Sequence, residues 1–299
     1  MNIRDLTYLV ALVQHRHFGK AAEACFVSQP ALSMQIKKLE AYLGVQLLER
    51  SNKAVFLTEI GALLATQAQT VLNHVDELKE LAKLAKDPFS GELKVGIFPT
   101  LAPYLLPHII PVLTQAFPKL SLYLMEEQTA SLLEKLRQGK VDVLILALPV
   151  NETGLTTLPL FEEEFVLALP QSHALARKKI IKPGELEHSH LLLLEDGHCL
   201  REQALSFCHL MKASEVQRFR ATSLETLRHM VAAKVGMTLM PRLACQANDG
   251  ITYVPFSQPK PSRTIGLVWR NSVAKKKLLE EMARQIKKTM KKIKKVNVA

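Results

Sequence analysis

A chain of 299 residues, 48% hydrophobic and 22% charged, has the composition of a globular protein and enough material for two or three domains. No apolar run approaches membrane-spanning length, and Met1-Asn2-Ile3-Arg4-Asp5 leads into a helical pattern rather than a signal peptide, so a soluble cytoplasmic protein is expected. The net charge of +11 points to a polyanionic partner, but residues 271–299 carry +8 of it, so bulk basicity alone is weak evidence for sequence-specific DNA binding.

Apolar residues at Ile3, Leu6, Leu9, Val10 and Val13 mark one helix face over residues 3–14, and a short helix follows over 18–25. Phe26-Val27 makes a turn. Ser28 is a good N-cap and Pro30 stands near the first position of a third helix, whose core face is Leu32, Ile36 and Leu39. Gln29, Ser33 and Lys37 fall on another face, beside Pro30 and Met34. Short helix, tight turn and helix with a polar outer face make a helix-turn-helix pattern. Cys25, in the second helix, is explained by packing. Residues 58–86 read as one long helix with apolar or small residues stepping by four and three from Leu57 through Leu64, Val71 and Leu78 to Ala85. That spacing is the seam of a dimerising coiled coil, although a helix packed on its own domain gives a similar stripe. Asp87-Pro88-Phe89-Ser90-Gly91 breaks it.

From Leu93 the chain alternates strand and helix. Strands are expected at 93–98, 120–125 and 141–146, with helices from near Pro107 to Phe117 and over 130–138, so the sheet is read as parallel. A second α/β unit starts at Phe165. It holds a strand at 191–194, another at 216–220, a helix at 224–234 and a strand at 237–240, and residues 264–269 return to the first unit. Thr100 and Thr129 each follow a strand and stand at or before a helix start, where a cap is the commoner role. The tail over 274–298 is an amphipathic helix expected to dock on the first lobe, and a nonspecific DNA contact is the competing reading of its basic face.

The densest chemistry lies between Leu194 and Cys208. Gly197 supplies a turn and the run from Arg201 to Phe207 is made of helix formers, which puts Cys199 in the first helical turn, where unpaired N–H groups favour a thiolate. Arg201 is expected to act in the same direction, Glu195 and Asp196 against it. Cys208 lies nine residues on. An unbroken helix would hold the two Cα atoms about 13–14 Å apart on opposite faces, whereas a disulfide needs them within about 7 Å. Either the pair is core filler, as free cysteines usually are, or linking it forces the local backbone to rearrange.

Phe18-Gly19-Lys20-Ala21-Ala22-Glu23, Val27-Ser28-Gln29-Pro30-Ala31-Leu32-Ser33 and Leu43-Gly44-Val45 to Arg50 resemble the DNA-binding domain of the LysR-type transcriptional regulators. Glu195-Asp196-Gly197-His198-Cys199-Leu200-Arg201 with Cys208 resembles the sensing segment of that family's peroxide-responsive members, and the likeness runs to about residue 271. The resemblance implies an α+β multidomain protein: a winged helix-turn-helix over 1–58, a linker helix and hinge over 59–90, and a two-lobed, periplasmic-binding-protein-like domain over 91–299. Lobe I would be 91–163 with 266–299, and lobe II 164–265. It implies Gln29, Pro30, Ser33 and Lys37 near the major groove, with Arg50 and Lys53 of the wing on phosphates. It further implies a peroxide pocket of Thr100, Thr129, His198 and Cys199, and a Cys199–Cys208 disulfide formed through a sulfenic acid. A homodimer assembling to a homotetramer on two-fold promoter sites, contact with RNA polymerase and activation of peroxide-defence genes are implied too, with no cofactor, no metal and no enzymatic turnover. Met34 departs from the arginine many relatives carry, and Lys234 stands where a small residue is expected. Readings left open are a metal sensor using His188, His190, His198, Cys199, Cys208 and His209, a thiol peroxidase, and a regulator that binds a small organic effector.

Overall fold

A computed structural model describes residues 1–49, 55–84, 87–197, 199–211 and 214–296, and of Cys199 and Cys208 the backbone alone. The chain divides into two compact units, Met1–Lys86 and Asp87–Ala299.

In the first unit, α1 (Ile3–His15) is opened by a reciprocal capping box between Asn2 and Asp5. The helix α2 (Phe18–Ala24) leads through a turn to α3 (Gln29–Leu43), where the Ser28 hydroxyl accepts from the Ala31 N–H. Leu9, Leu12, Ala21, Leu32, Ile36 and Leu39 are buried together as the core of this unit. Glu40 accepts from the Leu47 and Leu48 N–H groups at 2.8 and 3.3 Å and fixes the start of the wing, whose ends pair at Leu48 and Leu57. Arg50 and Lys53 lie outside the described residues.

The long helix α4 (Glu59–Leu84) has Thr58 as its cap, with the hydroxyl accepting from Gly61 N–H at 3.0 Å. A Cβ on Gly61 would fall 2.1 Å from the Leu47 carbonyl oxygen, so only glycine lets α4 cross the wing there. The apolar seam, read as a dimerising coiled coil with packing on its own domain as the alternative, is partly buried and partly exposed. Ala65 and Ala68 are buried, and Leu64 and Leu72 packed, against the core of the same unit. Val71 and Leu78, further along, remain exposed.

In the second unit, β1 (Gly91–Ile97), α5 (Ala102–Ala116), β2 (Leu120–Glu126), α6 (Thr129–Arg137) and β3 (Val143–Leu148) form the first lobe. The helix α5 starts five residues before Pro107, contrary to the sequence expectation. Pro103, Pro107 and Pro111 recur every fourth residue on its exposed ridge, where the carbonyls they leave unpaired can be hydrated. Leu105, Ile109 and Leu113 on the opposite face are buried and hold the helix together.

The 16-residue strand β4 (Leu155–Pro170) leads into the second lobe, which holds β5 (His190–Leu194), α7 (Cys199–Met211), β6 (Ser214–Ala221), α8 (Leu224–Ala232), β7 (Thr238–Pro241) and β8 (Ile251–Pro255). The strand β9 (Ser262–Arg270) returns to lobe I, and α9 (Lys276–Val296) closes it. Strand order in the large sheet is β2-β1-β3-β9-β4-β7, with β8 also on β4. Among the described strands the β1–β2, β1–β3 and β5–β6 ladders are parallel, with isolated parallel bridges at Ile181–Phe256 and Leu191–Met237. The expected parallel sheet is thus mixed: β4 and β9 run antiparallel to each other through both lobes, and their remaining partners follow that direction. Leu278, Met282, Ile286 and Met290 place α9 on the core of lobe I.

Candidate functional site

In the first unit, α3 turns Leu32, Ile36 and Leu39 inward and leaves Gln29, Pro30 and Lys37 exposed, with Ser33 half-buried. Gln29 to Lys37 covers about 12 Å of helix, the width of a DNA major groove. The Gln35 amide donates to Asp5 at 2.7 Å and so locks α3 onto the start of α1. A rigid polar helix face, presented by a buried core, is suited to reading base edges.

In the second unit, Ile97 of β1 pairs in parallel register with Glu126 of β2. Thr100 and Thr129 each lie three residues beyond that pair, and so stand at one edge of the sheet, at its strand C-terminal ends. Neither is a helix cap: α5 is capped by Leu101 and α6 by Gln128, both without a side-chain cap bond. Thr129 occupies the first turn of α6, half-buried, its hydroxyl without a partner among the described residues.

Thr100 is buried and accepts from Arg263 Nη1 at 3.2 Å, while Arg263 Nη2 donates to its carbonyl at 3.1 Å. Arg263 faces Glu163 across the β4–β9 register and donates to it from Nε at 2.7 Å. Both are buried at the strand positions where the chain passes between the lobes, and the guanidinium also lies over the Phe98 and Phe165 rings. Sequence reasoning gave Arg263 no role. The available signal was an arginine near the head of a strand whose middle, Ile265 to Trp269, is apolar; burying it there requires a carboxylate partner.

The α7 segment meets the same edge. Gly197, with φ of +92°, lies against the Gln128 side chain, and a Cβ there would sit 2.8 Å from Gln128 Oε1. That contact brings the chain just before Cys199 beside the residue just before Thr129. His198 lies outside the described residues. Helix α7 runs unbroken from Cys199 to Met211, so the Cα atoms of Cys199 and Cys208 are separated by about 13–14 Å of helix rise. In this state they are not placed to bond.

Arg201 is drawn into a network of carboxylates. Its guanidinium is buried under α7, donating to Leu194 O at 2.9 Å, to Asp196 at 2.8 Å and to both Glu215 oxygens. The Glu215 hydrogen bond is the main cause of a raised Arg201 pKa, and the same bond lowers that of Glu215. With its charge matched in this way, Arg201 fastens the helix to β6. Cys199 stands in the first turn of α7, where unpaired N–H groups favour an anion. Leu200, Ala204 and Phe207 hold the helix's inner face, Phe207 edge-on to Phe256 at 5.0 Å.

Cys25 and Cys245 are free. Burial pushes the Cys245 thiol up to about 12 and raises that of Cys25 as well, which makes both poor nucleophiles near neutral pH. His190 of the metal reading has its Nδ1 at 2.7 Å from the Ser214 hydroxyl. Among the described residues no three His, Cys, Asp or Glu side chains converge as a metal site. No described helix is long and apolar enough to cross a membrane.

Residues 3–62 match the bacterial regulatory helix-turn-helix protein family, lysR type, and residues 86–291 match the LysR substrate binding domain. The chain is 51% identical over 293 residues to the DNA-binding transcriptional dual regulator OxyR of Escherichia coli K12, covering 97% of this chain and 96% of that one. It superposes on full-length Pseudomonas aeruginosa OxyR bearing a cysteine-to-aspartate substitution with a TM-score of 0.77, at 41% identity and over 96% and 94% of the two chains. A cysteine-to-serine mutant of Corynebacterium glutamicum OxyR, H2O2-bound, gives 0.66 at 33% identity over 97% and 93%.

Proposed function

The chain belongs to the LysR family of transcriptional regulators, and on that premise we propose that it is a DNA-binding regulator that senses hydrogen peroxide through Cys199 and Cys208. The observation that carries the sensing role is the unbroken helix between the two cysteines, with Cys199 at its N-terminal residue and Gly197 set against Gln128 beside Thr129.

The Cys199 thiolate attacks one peroxide oxygen and the O–O bond breaks. The sulfur is oxidised to sulfenic acid, and hydroxide leaves and takes a proton to become water. Thr100, held by Arg263, and the unpartnered Thr129 hydroxyl orient the peroxide and donate to the departing oxygen, with His198 completing the pocket. The Cys208 thiol then displaces the sulfenic hydroxyl as water, and the disulfide forms. Two thiols and one peroxide become one disulfide and two waters. The protein then stays oxidised until a reductant returns the disulfide to two thiols. Closing that bond breaks α7, because the helix cannot bring its ends within disulfide range.

Residues 1–58 read DNA through Gln29, Pro30, Ser33 and Lys37, with Arg50 and Lys53 on the backbone. Residues 59–90 dimerise the chain through the exposed half of α4, where Val71 and Leu78 lie open. A two-fold assembly matches a two-fold promoter site, and two dimers make a tetramer whose arrangement the disulfide changes. The oxidised form engages RNA polymerase at peroxide-defence genes in the cytoplasm, where DNA and a reducing thiol pool coexist.

The test is a DNA footprint of the wild type and of Cys199→Ser with and without equimolar peroxide. The footprint of the wild type changes on oxidation and that of the variant does not. An identical change in both would remove Cys199 from the mechanism.

A further inference from the structure

We propose that the exposed lysine face of α9 is a second, sequence-independent surface for the phosphates of duplex DNA. The inference rests on the DNA-binding reading above and adds to it a contact outside the helix-turn-helix unit.

Helix α9 carries nine Lys or Arg against two Glu, a net charge of +7 in 21 residues. Its apolar side is fully engaged, with Leu278, Leu279, Met282, Ile286 and Met290 buried in lobe I. On the other side Lys277, Arg284, Lys288, Lys291 and Lys292 are exposed. Arg284 pairs with Glu281 at 2.6 Å. The four lysines have no carboxylate partner among the described residues. The groove between α5 and α9 beside Lys288 and Lys292 is lined by His108, Gln115 and Gln285 and contains no acidic side chain.

Helix stability does not account for this pattern. Arg284 with Lys288, Lys287 with Lys291, and Lys288 with Lys292 are like charges four residues apart, each of which weakens a helix. Lys276 and Lys277 stand in the first turn, at the unfavourable end of the macrodipole, and the favourable end rewards cations only in the last turn. From Lys287 to Lys292 the helix keeps mutually repelling cations with no acid among them, Glu280 and Glu281 lying a turn or more earlier, and that stretch fits a polyanion. Lys277, Arg284 and Lys291 recur every seven residues over about 21 Å, the axial length of about six base pairs of duplex. A rigid row of that reach matches a phosphate backbone and carries no means of reading sequence.

The experiment uses the full-length reduced protein and a random-sequence duplex, with binding followed by fluorescence anisotropy over a range of salt concentrations. The variant carries Lys277→Gln, Lys288→Gln, Lys291→Gln and Lys292→Gln together, which nearly preserves helix propensity. Its plot of log K against log salt should be shallower by about 0.9 for each phosphate that is no longer neutralised, while its preference for operator over random DNA stays as in wild type. Gln29→Ala should do the reverse, losing preference and keeping the slope. An unchanged slope in a folded quadruple variant that still prefers operator overturns the α9 surface and leaves the DNA-binding reading standing. Lysine-dependent binding to phosphatidylglycerol vesicles with an unchanged DNA slope also overturns it, assigning the face to anionic lipid. A wild type that binds neither duplex sinks both readings.

Discussion

Arg201 and Glu215 form a bidentate pair, with Nη1 and Nη2 of the arginine donating to the two carboxylate oxygens at 2.7 and 2.9 Å. The pair ties the first turn of α7 to β6, and it must be strained or broken for Cys199 to reach Cys208. On the proposed switch it is the latch that holds α7 before the disulfide closes.

Arg201→Ala removes the latch and leaves Glu215 without its strongest partner in a nearly buried position. Breaking a buried pair from one side costs about 3 kcal/mol. We expect a lower melting temperature for the reduced protein and faster closure of the Cys199–Cys208 disulfide at a fixed peroxide dose. Stopped-flow quenching followed by thiol counting measures the second effect. Slower closure with the same loss of stability would show that Arg201 guides oxidation rather than restraining it.

The same pair predicts a pH dependence. The hydrogen bond from Arg201 holds the Glu215 carboxyl below its ordinary value of 4.5. A carboxylate with a depressed folded pKa stabilises the fold fully above its unfolded value and loses that contribution as pH falls through the folded value. Amide exchange along α7 in the reduced protein should be unchanged from neutral pH down to about that ordinary carboxylate value, after correction for intrinsic rates, and accelerate below it. Glu215→Gln should flatten this dependence.

Thr100 separates chemistry from stability. Thr100→Val removes the hydroxyl and preserves the shape, but it leaves a buried guanidinium N–H of Arg263 without its acceptor, so the fold should lose about 2 kcal/mol. The second-order rate of Cys199 with peroxide should drop at least about tenfold, the equivalent of 1.4 kcal/mol of transition-state stabilisation. Thr100→Ser, which restores the oxygen, should recover most of it. Arg263→Ala is a harsher test, because it leaves Glu163 buried and unpaired, and we expect it to unfold the unit more readily.

Lys234 occupies the left-handed region with φ of +65°, closing α8 through Lys234 N–H to Val231 O and Val235 N–H to Met230 O. A side chain there carries a strain of about 1 kcal/mol. Lys234→Gly should relieve it and raise stability by somewhat under that amount, measured by urea unfolding, with no effect on peroxide reactivity.

The sequence read the local elements well and the long-range directions poorly. The Ser28 cap, the inner face of α3 and the helix after Gly197 follow from spacing and residue chemistry within a few positions. The start of α5 was hidden because its three prolines read as helix breakers, and only the buried face opposite them shows why the helix survives. The mixed sheet was hidden because β4 and β9 pair across about a hundred residues. For the site, the likeness around Cys199 was visible, and so were Thr100 and Thr129. Where Arg201 points was not, since Glu215 comes from a different element, and neither was the Arg263–Glu163 support for Thr100, which needs the register of two distant strands.

The most direct test of the account is a non-reducing peptide map by mass spectrometry after equimolar peroxide, with the reduced protein as control. One new link, Cys199 to Cys208, is expected, while Cys25 and the half-buried, high-pKa Cys245 stay free. If Cys199 remained a thiol under that dose, or bonded to a cysteine other than Cys208, the peroxide switch built on α7 would be contradicted.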